Sequence, residues 1–217
     1  MARSARAAGA LDELGRAIEV ITGRAPAAET LTRFAKYLDL LTTWNRTHHL
    51  TSYRTPHEVV RGLFIDSLLF LPVLPPRPVR VIDIGAGPGI PGVPLRLVDP
   101  GIRITLVESR RKPVSFLAAL KRELGLDDIE VVHGRAGAEE AEYKGVYGCA
   151  LIRGVRLDEA LRSAALGYLK PGGRLVCGAA PGDARGEEGP ADSESSRIQE
   201  VAYPTLGYRR RFIVVPA

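Results

Sequence analysis

Asp83, Gly85, Gly87, Gly89 and Glu108 are the residues of this chain whose types and spacing point most directly to chemistry. The first four lie in Val79-Arg-Val-Ile-Asp-Ile-Gly-Ala-Gly-Pro-Gly-Ile-Pro-Gly92, and the last ends Ile102-Arg-Ile-Thr-Leu-Val-Glu108. Three glycines in one turn leave backbone without Cβ atoms, so a ligand can lie directly against it. Asp83, two residues before the first glycine, puts a carboxylate near a cationic amino group. Glu108 stands where a ribose diol lies in a nucleotide-type site. Val79, Val81 and Ile82 predict a buried strand, and Pro91 and Pro94 suit the first turn of a helix. The pattern is strand, glycine turn, helix, strand, acid: a nucleoside-binding βαβ unit.

Two ligand classes fit the glycines, because Gly87-x-Gly89-x-x-Gly92 also satisfies the dinucleotide fingerprint. Asp83 argues for S-adenosylmethionine, since a dinucleotide brings an anionic pyrophosphate to that position. Leu169-Lys-Pro-Gly-Gly-Arg-Leu-Val176 predicts a helix end, a tight turn and a strand, a late turn frequent in methyltransferases. A nicotinamide enzyme stays as the alternative. A glycine turn made only for packing is the third reading, and an acid on each side exceeds what it needs.

The elements that must position these residues follow from periodicity. Residues 10–22 predict a short helix, and Pro26 opens a second with Leu31, Phe34, Ala35, Leu38, Leu41 and Trp44 on one face. Thr55-Pro-His-Glu58 is a capping box that starts a third. Strands are expected near 79–84, 102–108, 128–133, 146–152, 173–178, 198–204 and 210–215, with helices near 91–98, 111–124 and 156–169. That alternation predicts a parallel α/β sheet with helices on both faces, closed by a hairpin turning at Pro204-Thr-Leu-Gly-Tyr208. The fold class is therefore a Rossmann-like, seven-stranded class I S-adenosylmethionine-dependent methyltransferase fold. Residues 1–75 form an N-terminal helical extension and 76–217 the methyltransferase domain, one compact unit. Residues 181–197 have almost no apolar content and predict a mobile loop.

Composition narrows the function classes. The 217 residues carry a net charge of +5, with 30 Lys and Arg, of which only Lys36, Lys112, Lys121, Lys144 and Lys170 are lysines. Arginine forks suit phosphate. Arg110-Arg111-Lys112, Lys121-Arg122 and Arg209-Arg210-Arg211 are candidate phosphate contacts. Cys149 and Cys177 lie in apolar runs and read as free buried thiols. The four histidines show no metal spacing, so no metal is expected. No run is apolar enough to span a membrane, and the N-terminus lacks a leader-like segment, which places the chain in the cytoplasm.

Trp44-Asn45, Leu50-Thr51, Asp66-Ser67-Leu68, the stretch Asp83 to Leu95, Glu108-Ser109 with Lys112, and Phe116-Leu117 occur in one order. Together they resemble the ribosomal RNA small subunit methyltransferase G family, also called glucose-inhibited division protein B, over roughly residues 30–178. The resemblance implies methylation of N7 of a guanine in 16S ribosomal RNA by S-adenosyl-L-methionine, and a monomer. It implies that Gly85 and Ile90 contact the cofactor, that Glu108, Ser109 and Arg110 lie along ribose and adenine, and that Ala136-Gly137 follows as the next contact. Arg153, at the end of strand four, is the expected functional arginine, binding RNA phosphate or stacking on the target base. Arg111, Lys112, Arg209 and Arg210 are the further RNA-binding candidates.

The chain departs from the family pattern at Gly62, where a histidine is usual, at Gly137 for Glu, at Gly154 for Ala, and after strand five, where Cys177-Gly178-Ala179 carries no lysine. These departures leave two alternatives open: a relative that holds S-adenosylmethionine or RNA without turnover, and a small-molecule methyltransferase. Guanine N7 has an exposed lone pair and no proton to lose, so no general base is expected; near-attack geometry is the main task.

Overall fold

A computed structural model describes residues 2–138, 141–178 and 196–217. Its elements in order are α1 (Ala2–Thr22), α2 (Ala28–His48), α3 (Pro56–Val59), a π-helical turn (Val60–Ile65), α4 (Asp66–Leu68), β1 (Val79–Ile84), α5 (Gly92–Val98) and β2 (Ile102–Glu108). They continue with α6 (Arg111–Leu124), β3 (Glu130–His133), β4 (Tyr147–Arg153), α7 (Glu159–Gly167), β5 (Leu169–Gly178), β6 (Arg197–Tyr203) and β7 (Tyr208–Pro216). The seven strands form one sheet in the order β3-β2-β1-β4-β5-β7-β6. β1 to β5 are parallel, and the β6–β7 hairpin joins antiparallel to β5.

The seven-stranded, mostly parallel reading is therefore correct, and so is the hairpin. Its turn is a short helix at Pro204–Leu206 closed by Gly207 at φ 71°. The capping box at Thr55 forms with both hydrogen bonds. The Pro-Gly-Gly segment differs from expectation: it lies inside β5 rather than before it. Pairing passes from Tyr147↔Leu169 to Cys149↔Arg174, so the segment is a bulge with Gly172 at φ 76°. Of the expected mobile loop 181–197, residues 181–195 lie outside the described residues. Arg197 is not loop but the first residue of β6.

The helical extension and the sheet share a core. Leu14 and Ile18 of α1, Phe34, Tyr37 and Leu41 of α2, and Phe64 before α4 pack in one cluster with Val81, Leu106, Phe116 and Phe212. Tyr37 stacks obliquely on Phe64 at 4.8 Å, and Trp44 meets Phe116 edge-on at 5.6 Å. A second cluster on the other face gathers Ile82, Val107, Ile152, Tyr168 and Val215. Both cysteines are free and buried, and desolvation pushes their thiols up. Among the described residues no helix is long and apolar enough to cross a membrane, and no cluster could hold a metal ion.

Candidate active site

Strand order reverses between β1 and β4, and the glycine turn leaves the carboxyl end of β1 at that switch point, where open α/β sheets bind ligands. Gly85, Gly87 and Gly89 have φ of 74°, 54° and 90°, a region that side chains disfavour. The turn is pinned by Gly85 and Ala86 N–H groups donating to Val107 O, and by Gly89 and Ile90 N–H groups donating to Ala86 O. A Cβ on Gly89 would press on Val93 and the Tyr37 hydroxyl at 2.8 and 3.0 Å, so helix α2 closes one side of the loop. Tyr37 also donates to Pro88 O. Burial and the nearby Asp83 carboxylate push its phenol up, so it stays a donor.

Two carboxylates bracket the loop. Glu108 Oε2 accepts the Gly87 N–H at 2.8 Å, and Oε1 accepts from the Arg110 backbone N–H at 2.8 Å and its Nε at 3.1 Å. Burial works to raise this carboxyl, but the Arg110 and Gly87 hydrogen bonds outweigh it and hold it below the usual range. Asp83 is sealed from solvent at 0% exposure. Its Oδ2 accepts the Gly92 N–H at 2.8 Å, at the start of α5, while Oδ1 has no partner among the described residues. Burial pushes its carboxyl up to about 7. Asp83 thus serves as a strand-end cap and keeps one unused acceptor.

The other expected residues fall around the same edge. Gly87 is buried, and a Cβ there would meet Arg110 Nη2 at 3.8 Å and Gly85 O at 3.9 Å, both ordinary contact distances. Ile90 contributes only its backbone, since its side chain is buried in the core. Ser109 is exposed and its carbonyl oxygen sits 3.2 Å from His133 Nε2. Ala136 packs on the second cluster, and the Gly137 N–H donates to the Tyr168 hydroxyl at 2.6 Å with φ 88°. Arg111 and Lys112 are exposed on the first turn of α6, where the helix dipole adds to their positive field.

Two of the expected arginines are turned inward. Arg153 does not face solvent: its side chain is 9% exposed, Nε donates to Asp66 Oδ2 at 2.8 Å, and Nη2 donates to Gly62 O at 2.6 Å. Arg210 is 7% exposed and bound to Asp66 Oδ1 at 2.7 Å, so it is not presented to RNA phosphate. Strand alternation explains why: Arg209 and Arg211 point outward and share Glu200, while Arg210 between them points in. Burial pushes the Asp66 carboxyl up, against the pull of the two guanidiniums. It lowers Arg210, whose Nε and Nη2 are buried without partners among the described residues.

Asp66, Gly62 and Val155 are the residues that sequence reasoning left without a role. An acid inside Leu63-Phe-Ile-Asp-Ser-Leu-Leu-Phe70 was the available signal for Asp66, because buried charges are rare unless paired. The π-helical turn just before it reorients the chain, a distortion common at functional sites. Gly62 lies within that turn, and a Cβ there would clash with the hydroxyl end of Tyr53, 2.6 Å from its oxygen. Its departure from the family histidine is thus matched by a neighbour that fills the space. Val155, 46% exposed, leans over Gly85, with Cγ2 3.2 Å from the position of a Cβ.

Comparison with known proteins places this geometry. The ribosomal RNA small subunit methyltransferase G of Lactococcus lactis subsp. lactis (strain IL1403) is 32% identical over 148 residues, 66% of this chain and 62% of that protein. The protein of the same name from Streptococcus pyogenes serotype M4 is 32% identical over 154 residues, 69% of this chain and 65% of its own length. The aligned stretch thus spans less than two thirds of either relative. A SAM-dependent methyltransferase from Aquifex aeolicus superposes with a TM-score of 0.54 at 13% identity, over 73% of this chain and 92% of that one. The C-terminal domain of precorrin-6Y C5,15-methyltransferase from Rhodobacter capsulatus gives 0.50 at 22% identity, over 70% and 87%. These likenesses show the fold. The family model described as rRNA small subunit methyltransferase G (GidB) matches residues 30–212, a stretch holding the glycine loop, both bracketing acids and the Asp66 cluster. By that match this chain belongs to the rRNA small subunit methyltransferase G family.

Proposed function

We propose that this chain is a methyltransferase that uses S-adenosyl-L-methionine to methylate N7 of a guanine in 16S ribosomal RNA. The observation that carries the reading is the positive-φ glycine loop at the β1–β4 switch point with an acid on either side, within a chain of this family. The residues present fit the cofactor. Glu108 is held in its charged form and accepts ribose hydroxyls, with Ser109, Arg110, Ala136 and Gly137 flanking the adenosine. Asp83 supports the cofactor's ammonium group from beneath the loop, where its carboxylate is sealed and its Oδ1 has no partner among the described residues. S-adenosyl-L-methionine supplies an electrophilic methyl group on a sulfonium.

The chain's own task is then positioning. Val155, an exposed apolar side chain over Gly85, forms a dry wall at the mouth of the site. Arg153 acts from below, as an anchor of the β4 end through Asp66 and Gly62. Arg111, Lys112 and Arg209 stay as exposed candidates for RNA phosphate. No residue has to remove a proton, because N7 carries none. The reading includes a monomer acting in the cytoplasm on 16S RNA or a small-subunit precursor.

The test is transfer of tritiated methyl from S-adenosyl-L-methionine to 16S RNA lacking its N7-methylguanine, with cofactor binding measured calorimetrically. Wild-type chain should incorporate label, and Glu108→Gln should weaken cofactor binding by roughly tenfold through loss of charge-assisted hydrogen bonds. Cofactor binding without incorporation into any RNA would sink the RNA reading and favour a small-molecule acceptor or a non-catalytic role.

A further inference from the structure

Helix α2 ends at His48, and His49 at φ 51° reverses the chain toward residues 51–54. Between the end of α2 and that return lies a cleft of about 170 Å³ that includes Thr42, Asn45, Arg46, Thr51, Tyr53 and Arg54 in its lining. The cleft is built rather than incidental. Asn45, 6% exposed, uses both ends of its amide to shape it: Oδ1 accepts the Thr51 N–H at 2.9 Å and Nδ2 donates to Tyr53 O at 3.2 Å. Arg46 and Arg54 are both exposed, and neither makes an ion pair with the described residues. The acid nearest in sequence, Glu58, is occupied by the backbone N–H groups of Arg54 and Thr55. Two exposed guanidiniums, that of Arg54 also lending its charge to Glu58, stand beside a cleft of mixed lining in which Leu41 and Val59 join the polar groups, and arginine forks match a phosphodiester. The cleft also connects to the site: the Tyr53 ring fills the space beside Gly62, whose carbonyl oxygen holds Arg153.

We infer that this cleft receives a backbone phosphate of the RNA substrate flanking the target nucleotide, gripped by Arg46 and Arg54. The inference rests on the reading of the substrate as RNA. It gives the helical extension a task that Arg153 and Arg210, both turned inward, do not perform.

The experiment measures binding of a fluorescein-labelled, unmethylated 16S RNA fragment across a salt series. The proteins are wild type, Arg46→Ala/Arg54→Ala and Arg46→Lys/Arg54→Lys. The alanine pair should bind roughly tenfold more weakly per arginine. Its log–log salt slope should be shallower by about 0.7 to 0.9, the release expected for the one phosphate that the two arginines share. The lysine pair should restore most of the slope, and cofactor affinity and thermal midpoint should match wild type in both. An unchanged slope in the alanine pair overturns the inference. So does saturable binding of inorganic phosphate that the alanine pair loses while its RNA slope stays at the wild-type value. Wild type that binds RNA yet transfers no methyl sinks the proposed function alone, because the slopes still decide the cleft. Wild type that binds no RNA overturns both.

Discussion

The cofactor edge and the Arg153 edge of this sheet are built in opposite ways. Around the glycine loop, charges are few and backbone does most of the holding: Glu108 grips the Gly87 N–H and Asp83 the Gly92 N–H. Apart from the Tyr37 hydroxyl on Pro88 O, these partners lie within about one βαβ unit. At the end of β4, side chains hold one another: Asp66 clamps Arg153, 87 residues away, and Arg210 from the last strand. The first edge keeps a buried acceptor without a partner at Asp83 Oδ1, whereas at the second one carboxylate serves two guanidiniums and the atoms left without partners are donors, Arg210 Nε and Nη2. An edge that is local and built on backbone suits ligand binding. One that is non-local and built on paired charges suits holding distant segments in register.

The largest expected effect lies at the Arg153 edge. Asp66→Ala would leave two guanidiniums buried without their carboxylate, which costs about 3–5 kcal/mol when a buried pair is broken. Denaturant unfolding should show it; a loss under about 1 kcal/mol would mean that water replaces the clamp and that the two edges do not differ in this way.

Asp83 gives the next effect, with a sign set by pH. Its carboxyl moves from 3.8 up to about 7, burial being the main cause, so the folded chain keeps a proton that the unfolded chain releases between those values. Stability from this group is complete below the lower value and lost as pH rises through the upper one. Asp83→Asn should therefore make the cofactor-free chain more stable at about pH 8, by at most about 4 kcal/mol, and equal to wild type near pH 4. The same substitution should weaken cofactor binding, and a variant that gained stability with full affinity would remove Asp83 from the site.

Arg110→Ala is the smallest change. The arginine is 67% exposed, and such pairs contribute about 0–1 kcal/mol. The thermal midpoint should scarcely move. The Glu108 carboxyl, followed by NMR titration, should rise toward its ordinary value, because Arg110 is its chief stabilising partner. No rise would mean that the backbone N–H groups of Gly87 and residue 110 fix it.

These two edges also differ in how far they could be read before the fold was known. Asp83, Gly85, Gly87, Gly89 and Glu108 were legible because their relations are short-range: glycines need their φ angles within one turn, and the acids end adjacent strands. Arg153 and Arg210 were legible as charged residues but not as buried ones, since their burial depends on Asp66 arriving from a separate helix. For Arg210 the alternation within Arg209-Arg210-Arg211 held the answer. For Gly62 nothing local did, because the partner that explains it, the Tyr53 ring, comes from a loop that Asn45 organises. The Pro-Gly-Gly bulge was read as a turn because both use the same positive-φ glycine chemistry.

The hydrogen bond from Tyr37 to Pro88 O ties helix α2 to the loop that the cofactor would rest on. Ligation and helix docking are then linked equilibria, each favouring the other by the same free energy. Bound cofactor should protect the first fifty residues from protease, and a truncation that removes them should be read as damage to the ligand site rather than as the trimming of an appendage.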